Sequence, residues 1–161
     1  MPILTGVESI YFLISYPVFL SSFILTALFA DLHSSRIPNR LIITFTIIGL
    51  IQKLIIGIMT DGFLSGVNAL FFSLARGILV VALLFGLYLL RGLGAGDIKL
   101  YGVIGIYKGV KFSIMTFAAG IVICAIFILI SIMFGRYVKG NKVKMMPSTA
   151  MSYFLLCIRG A

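Results

Sequence analysis

Acidic residues are scarce in this sequence. Its 161 residues include 4 Asp and Glu against 13 Lys and Arg, a single histidine, two cysteines and no tryptophan. Charged residues make up 11% of the chain and apolar residues 61%, whereas a soluble domain is about a quarter charged and about half apolar. So few polar side chains could not cover the surface of a water-soluble fold. The composition excludes a soluble globular domain and makes a lipid bilayer the natural solvent.

The shortage of histidine and cysteine argues against a metal site. Cys124 and Cys157 lie in separate apolar stretches and form no CxxC pair, so neither zinc nor a disulfide framework is expected. His33 is expected to be structural or solvated. We therefore expect no metal and no other cofactor. The net charge of +9 would suggest nucleic acid in a soluble protein, but the basic residues flank apolar runs, which indicates membrane orientation instead.

Long apolar runs predict an all-α, polytopic membrane protein with about six transmembrane helices in a single domain, residues 1–161. About 20 mostly apolar residues cross the hydrocarbon as a helix. The first run lacks the basic start and cleavage site of a secretory signal, so we expect it to be retained. The predicted pieces are spans over 10–30, 41–59 and 112–134, a turn at 60–62, an interfacial piece over 63–75, a span ending near Leu90, and shorter apolar runs to Tyr107 and over 147–159.

The distribution of basic residues predicts the orientation of the chain in the plasma (inner) membrane. If the loops alternate, eight Lys and Arg fall on one side and three on the other, and the positive-inside rule places the eight in the cytoplasm. Asp31 and Asp97 then lie at cytoplasmic helix ends. The eight are Arg36, Arg40, Arg91, Lys99, Arg136, Lys139, Lys142 and Lys144, and the three are Lys108, Lys111 and Arg159.

Two of the four acids are candidate functional residues. Asp31 and Asp97 each adjoin a long apolar run, where an ionisable group is costly and often functional. The alternative is that each merely caps a helix or marks the interface. Glu8 and Asp61 lie ahead of a span and in a turn, so a solvated surface role explains both.

The stretch "GLGAGDIKLYG", residues 92–102, surrounds Asp97 with glycine. Gly92 and Gly96 have the spacing of a helix-packing motif, but the added aspartate favours a site. Gly94 and Gly96 leave room beside the carboxylate for an extended peptide. Asp97 is placed to begin a helix, where the helix dipole favours its ionised form. Lys99 could act in the same direction or bind lipid headgroups.

Two carboxylates within reach of one water molecule can catalyse hydrolysis. Like charges a few ångströms apart do not both ionise cheaply, so one keeps a proton. The ionised group takes a proton from water, and the protonated group donates a hydrogen bond to the scissile carbonyl. Asp31 and Asp97 are therefore expected to face each other across a polar cleft.

The two segments together resemble the type IV prepilin peptidases, which are GxGD intramembrane aspartyl proteases. "GLGAGDIKL" contains that signature as Gly94, Ala95, Gly96 and Asp97, and "ADLHSSRIPNRL" is similar to the family's D-x₅-IPN segment. The resemblance implies that Asp31 and Asp97 are the catalytic pair. It also implies supporting or substrate-binding roles for Gly94, Gly96, Asn39 and Lys99.

The resemblance further implies an endopeptidase that removes basic leaders from prepilin-like precursors (Flp-type pilins, pseudopilins or preflagellins) at the cytoplasmic face, among anionic lipids. The chain has no CxxC pairs, so it is similar to the short forms, and we expect no methylation by it. Two alternatives remain open. The aspartates could serve an ion- or proton-coupled transporter, or the chain could be a non-catalytic pilus assembly component. The oligomeric state is left open.

Overall fold

The protein is a bundle of α-helices. The computed structural model describes residues 5–34, 37–89, 94–134 and 146–158, with the side chains of the first helix described over 18–33. This part of the chain contains six helices and no strand, which confirms the predicted all-α class. They are α1 (Thr5–Ser34), α2 (Asn39–Asp61), α3 (Phe63–Leu89), α4 (Ala95–Lys108), α5 (Val110–Met133) and α6 (Met146–Ile158).

The prediction of an interfacial piece over 63–75 is wrong. Residues Phe63–Leu89 form one continuous helix of 27 residues. The predicted break rested on Arg76, but this side chain lies on the exposed surface of the helix. A charged side chain does not interrupt backbone hydrogen bonding, and α3 contains no proline that would. The long arginine stem can also carry its charge away from the apolar centre.

Among the residues that the structure describes, three helices, α2, α3 and α5, are long and apolar enough to cross a membrane. The stretch of α1 over Val18–His33 and the whole of α6 are shorter apolar helices. The 14 residues of α4 rise about 21 Å, less than the hydrocarbon thickness of about 30 Å. The chain is therefore a membrane protein in which α4 is too short to cross the bilayer alone.

The central position belongs to the short helix α4. It packs against α1, α2, α3 and α5, and its residues from Leu100 to Tyr107 are all buried. A helix that is apolar on every side is stable only when neighbours cover every side. Glycines allow the approach on the α3 side, since a Cβ on Gly77 would lie 2.5 Å from Ile106 Cγ1. The helix that carries Asp97 is thus the core of the bundle.

Glycine and proline set the boundaries of the helices. Pro38 is the extended residue that precedes α2. Gly62, with φ of 90°, makes the turn between α2 and α3 that the sequence predicts at 60–62, and Gly109, with φ of 93°, joins α4 directly to α5. These dihedrals favour glycine because a Cβ is strained there.

Hydrogen bonds made by buried hydroxyl groups attach α6 to the bundle. The hydroxyls of Tyr101 in α4 and Thr149 in α6 lie 2.8 Å apart. The Ser152 hydroxyl donates to the carbonyl oxygen of Thr116 in α5 at 2.9 Å. Buried polar groups are stable only when paired, so these contacts fix the position of α6 against the two preceding helices.

Some predicted features lie outside the described residues. These are Gly92, the basic residues Arg36, Arg91 and Arg159, and the basic loop over 135–144; the side chain of Glu8 is also outside them.

Candidate active site

Two helices bring the candidate aspartates to the same end of the bundle. Asp31 lies in the last turn of α1, and Asp97 lies in the first turn of α4. The two helices are in contact, and the Asp31 carboxylate is close enough to act electrostatically on Asp97. Both residues are half-buried. This placement brings together residues that are 66 positions apart in the sequence (97 − 31).

Asp97 also caps the helix that carries it. Gly94 is the N-cap of α4, so Asp97 is the third residue of the helix. The backbone N–H of Gly94 donates a hydrogen bond to the Asp97 carboxylate. This is one half of a capping box, in which an acidic side chain at the third position satisfies the N-cap donor. The bond holds the carboxylate over the helix start.

The environment of Asp97 favours its protonated form. Asp97 lies outside the three helices that are long enough to cross a membrane. Burial raises the pKa of its carboxyl group, and the nearby Asp31 carboxylate raises it further. The hydrogen bond from Gly94 acts in the opposite direction but is outweighed. A carboxyl group that keeps its proton can donate a hydrogen bond.

The two glycines of the motif have different surroundings. A Cβ added to Gly94 would lie 3.1 Å from Oδ2 of Asp97, which is too close for the carboxylate to keep its place. A Cβ added to Gly96 would lie 3.9 Å from Ile37, an ordinary van der Waals contact. Gly94 is therefore needed for the position of the carboxylate, whereas Gly96 packs the start of α4 on the segment that precedes α2.

A hydrogen bond joins the two sequence motifs. Lys99 Nζ donates to Oδ1 of Asn39 over 3.0 Å, and both residues are exposed. Asn39 is the first residue of α2, and Lys99 follows Asp97 by two positions. Both predicted supporting residues thus lie beside the start of α4.

Other polar residues of the sequence are not part of this group. Asp61 ends α2 at the turn to α3 and is exposed. His33 is exposed and stacks on Phe29 with the ring planes 1° apart. Cys124 and Cys157 are free thiols. Within the described residues, no three His, Cys, Asp or Glu side chains converge on a point that could hold a metal ion.

Tyr101 is a residue near the site that the sequence analysis does not identify. It lies one helical turn after Asp97, is fully buried, and is subject to the charge of Asp97. Its backbone carbonyl accepts a hydrogen bond of 2.7 Å from the Ser113 hydroxyl. The four-residue spacing from Asp97 places both side chains on one helix face, but nothing in the sequence indicates the partners on α5 and α6.

The start of α4 is accessible beside Asp97. Gly94 and Ala95, which precede Asp97 by three and two positions, are exposed. The half-buried Asp97 carboxylate therefore lies next to an open surface at this end of the bundle.

Comparison with known proteins identifies a family whose model matches most of this chain. The model of the type IV leader peptidase family matches residues 18–129, a range that includes both aspartates. A prepilin leader peptidase/N-methyltransferase of Bacillus subtilis (strain 168) is 31% identical over 143 residues, which cover 89% of this chain and 54% of that protein. The chain therefore spans about half the length of this curated relative. No solved structure matches the chain significantly.

The family match covers more than half of the chain and includes the whole of α4 and the part of α1 that carries Asp31. We conclude that this chain belongs to the type IV leader peptidase family.

Proposed function

We propose that the chain is an aspartic endopeptidase that removes the basic leader from type IV prepilin-like precursors at the cytoplasmic face of the plasma membrane. The observation that carries this proposal is the juxtaposition of Asp31 and Asp97 at one end of the bundle, in electrostatic contact. The membership in a leader peptidase family supports the reaction class. The relative named above is a prepilin leader peptidase, which supports the substrate class.

In the proposed reaction, the two carboxyl groups share one proton. Burial and the Asp31 charge favour that proton on Asp97. Asp31 takes a proton from a water molecule, and the water oxygen attacks the scissile carbonyl carbon. Asp97 donates its proton toward the carbonyl oxygen. Collapse of the tetrahedral intermediate breaks the C–N bond, the leaving amine takes up from Asp31 the proton that came from water, and one hydroxyl of the intermediate returns its proton to Asp97.

The shape of the site suits a substrate that enters from the membrane. The precursor's apolar helix stays in the bilayer, and its basic leader lies on the anionic cytoplasmic surface. The scissile bond between them then lies near the level of Asp97. Exposed Gly94 and Ala95 have little side-chain bulk, so the substrate backbone can approach the carboxylate closely. Such a close approach leaves little room for a bulky substrate side chain, and we expect a small residue before the scissile bond. Glycine is the residue that the family resemblance implies.

The test is cleavage of a cognate precursor in reconstituted vesicles. Asp31→Asn and Asp97→Asn should each abolish cleavage, because the acid and base roles need different protonation states on two groups. Asp61→Asn is the matched control, since Asp61 is exposed and lies at the turn between α2 and α3. It should cleave at the normal rate, as should Glu8→Gln.

The same variants separate the proposal from its alternatives. A transporter would show altered ion flux in the aspartate variants without any cleavage to lose. A non-catalytic assembly component would support pilus assembly with either aspartate replaced. Cleavage at the wild-type rate by Asp31→Asn or Asp97→Asn, with the variant correctly inserted, would refute the proposed catalytic pair.

A further inference from the structure

A groove lies between α2, α3 and α4, on a different side of α4 from the aspartates. It encloses about 250 Å³ and is lined almost entirely by apolar atoms. Gly102 and Ile106 of α4 belong to its floor, and Thr46 of α2 and Ile78 of α3 belong to its walls. Lys99 is the charged residue at the groove, at the end near the start of α4. We call this feature the α2–α3–α4 groove.

The groove does not belong to the catalytic pair. Asp97 and Lys99 are two residues apart, which turns them about 200° from each other around the helix axis. Asp97 is directed toward Asp31 of α1, whereas Lys99 lines the groove and bonds to Asn39 of α2. A substrate bond held between the aspartates would thus lie on another face of α4 from the groove.

The size of the groove selects a thin occupant. Its lining on α4 runs from Lys99 to Ile106, a length of about 10 Å along the helix. A helix with side chains is about 10–12 Å wide, so it would lie across the open side of a groove of about 250 Å³ and would not enter it. A single extended hydrocarbon chain is thin enough to lie along the apolar lining.

The charge at the end of the groove selects an anionic headgroup. The hydrogen bond of Lys99 goes to the neutral amide oxygen of Asn39. No carboxylate among the described residues forms an ion pair with Lys99, so its charge is left for an external anion. Basic pockets between membrane helices are typical sites for phosphate-bearing lipid headgroups. Exposed Ile78, at 61% exposure, opens one wall toward the lipid.

We propose that the α2–α3–α4 groove binds one acyl chain of an anionic phospholipid, with the lipid phosphate held by Lys99. The lipid comes from the leaflet on the Asp97 side of the bundle. The ammonium has three N–H donors, so Lys99 can donate to the phosphate and to Asn39 at the same time. The headgroup then lies beside the contact between the start of α4 and the start of α2.

Native mass spectrometry of the full chain in detergent tests this site directly. The protein is titrated with phosphatidylglycerol or with phosphatidylcholine, and retained lipid is counted per chain. We expect one phosphatidylglycerol per chain to bind in preference to phosphatidylcholine. Lys99→Gln should weaken its retention roughly tenfold, as expected for the loss of one charge-assisted contact. Lys111→Gln, which removes an exposed charge on α5, should not.

The apolar part of the site is tested by a pair of adjacent residues on α3. Ile78 and Leu79 are 61% and 50% exposed, but only Ile78 lines the groove. Ile78→Trp should fill the groove and reduce retention of phosphatidylglycerol, whereas Leu79→Trp should not. Gel filtration of both variants checks that they remain folded. Equal retention by the two variants would refute the groove as the site.

Three further outcomes would also overturn the proposal. One is equal retention of the two lipids. Another is stabilisation by inorganic phosphate alone to the same extent as by phosphatidylglycerol, which would show a phosphate site without a lipid chain. The third is loss of precursor binding or of a dimer in Ile78→Trp while lipid retention is unchanged, which would assign the groove to a protein helix. Precursor cleavage is measured in parallel, so failure of the proposed peptidase activity is scored separately.

Discussion

Lys99 and Asn39, which are 60 residues apart in the sequence, are joined by a hydrogen bond of 3.0 Å between the Lys99 ammonium and the Asn39 side-chain oxygen. The bond connects the start of α2 to the first turns of α4, and thus connects the two segments that contain the candidate aspartates. Because both partners are exposed, such a bond contributes less than about 1 kcal/mol to stability. The bond matters because it holds the start of α2 beside the first turns of α4.

The first prediction concerns the acceptor oxygen of Asn39. Asn39→Asp keeps an oxygen at the same place and turns the bond to the Lys99 ammonium into an ion pair, whereas Asn39→Leu removes the acceptor. We expect Asn39→Leu to cleave precursor several-fold more slowly, roughly tenfold at most, and Asn39→Asp to keep most of the activity. Cleavage rates in one vesicle preparation provide the measurement. Thr44→Ala, an exposed change about one and a half turns into α2, is the control. Equal losses in both Asn39 variants would show that the bond is irrelevant.

The second prediction concerns pH and stability. The pKa of Asp97 is raised in the folded protein by burial and by Asp31, so the folded state binds its proton more tightly than the unfolded state. Stability from this group is fully present below the unfolded pKa and is lost as pH rises through the folded pKa. Asp97→Asn removes the charge that is unfavourable at high pH. We expect the variant to be more stable than the wild type at neutral pH.

Thermal unfolding in detergent between pH 4 and pH 8 measures this effect. The difference between Asp97→Asn and the wild type should shrink as the pH falls into the range where the wild-type carboxyl group is protonated. Asp31→Asn should lower the pKa of Asp97, since the like charge beside it is removed. A destabilised Asp97→Asn at neutral pH would mean that the Gly94 hydrogen bond outweighs burial.

Helix class and much of the candidate site follow from local patterns in the sequence. Apolar runs mark the long helices, Pro38 and Gly62 mark boundaries, and the flanking motifs single out Asp31 and Asp97. The association of these motifs in space depends on a contact between α1 and α4. No local pattern contains that contact, so it is expected from the sequence only through the family resemblance.

The features that could not be predicted depend on tertiary packing. A charge inside an apolar run indicates a break only if the side chain cannot leave the apolar region, and Arg76 lies on an exposed face. Its charge, together with that of Lys108, acts on Lys53, so three helices bring cations to one region. The central position of α4 cannot be predicted from its sequence either, since its neighbours are apolar helices as well. Only the packing of those neighbours shows that α4 is the buried helix.

The third prediction separates the two glycines of the motif. A Cβ at position 96 makes an ordinary contact with Ile37, and alanine is favoured over glycine inside a helix by about 0.5–1 kcal/mol. Gly96→Ala should therefore unfold at the same temperature as the wild type or slightly higher. Gly94→Ala should displace the Asp97 carboxylate, since its Cβ would lie 3.1 Å from Oδ2.

Gly94→Ala is tested by measuring the pKa of Asp97 in a pH titration, with infrared spectroscopy to detect the protonated carboxyl group. Loss of the Gly94 hydrogen bond, which lowers the pKa of Asp97 in the wild type, should raise that pKa further. Gly96→Ala is the matched control and should leave the pKa unchanged. If Gly96→Ala is strongly destabilised instead, the contact with Ile37 is tighter than described.

The fourth prediction concerns the link between α4 and α6. The hydroxyls of Tyr101 and Thr149 are paired at 2.8 Å in the core. Each of Tyr101→Phe and Thr149→Val removes this contact, and Thr149→Val also leaves the buried Tyr101 hydroxyl without the Thr149 oxygen, which costs about 1–3 kcal/mol. The double variant removes both groups and should lose much less than the sum of the two single losses. Unfolding in detergent measures all three, and Thr60→Val, at an exposed position, serves as the control. Additive losses would show that the two hydroxyls do not stabilise each other.

The last prediction concerns the side of the membrane that the site faces. The turn after Asp61 and the start of α4 lie at opposite ends of α3, whose 27 residues rise about 40 Å and exceed the hydrocarbon thickness. Ala95 and Asp61 are both exposed.

In a background with Cys124 and Cys157 replaced by alanine, Ala95→Cys should react with a membrane-impermeant thiol reagent only from the cytoplasmic side. Asp61→Cys should react only from the opposite side. Ile104→Cys, at a fully buried position of α4, should react from neither side. Reaction at position 95 is expected because Ala95 is exposed and because water must reach the carboxylates as a reactant. If Ala95→Cys and Asp61→Cys react from the same side, α3 does not cross the membrane as described. If Ala95→Cys reacts only from the outer side, the site faces away from the cytoplasm, and removal of a leader at the cytoplasmic face is wrong.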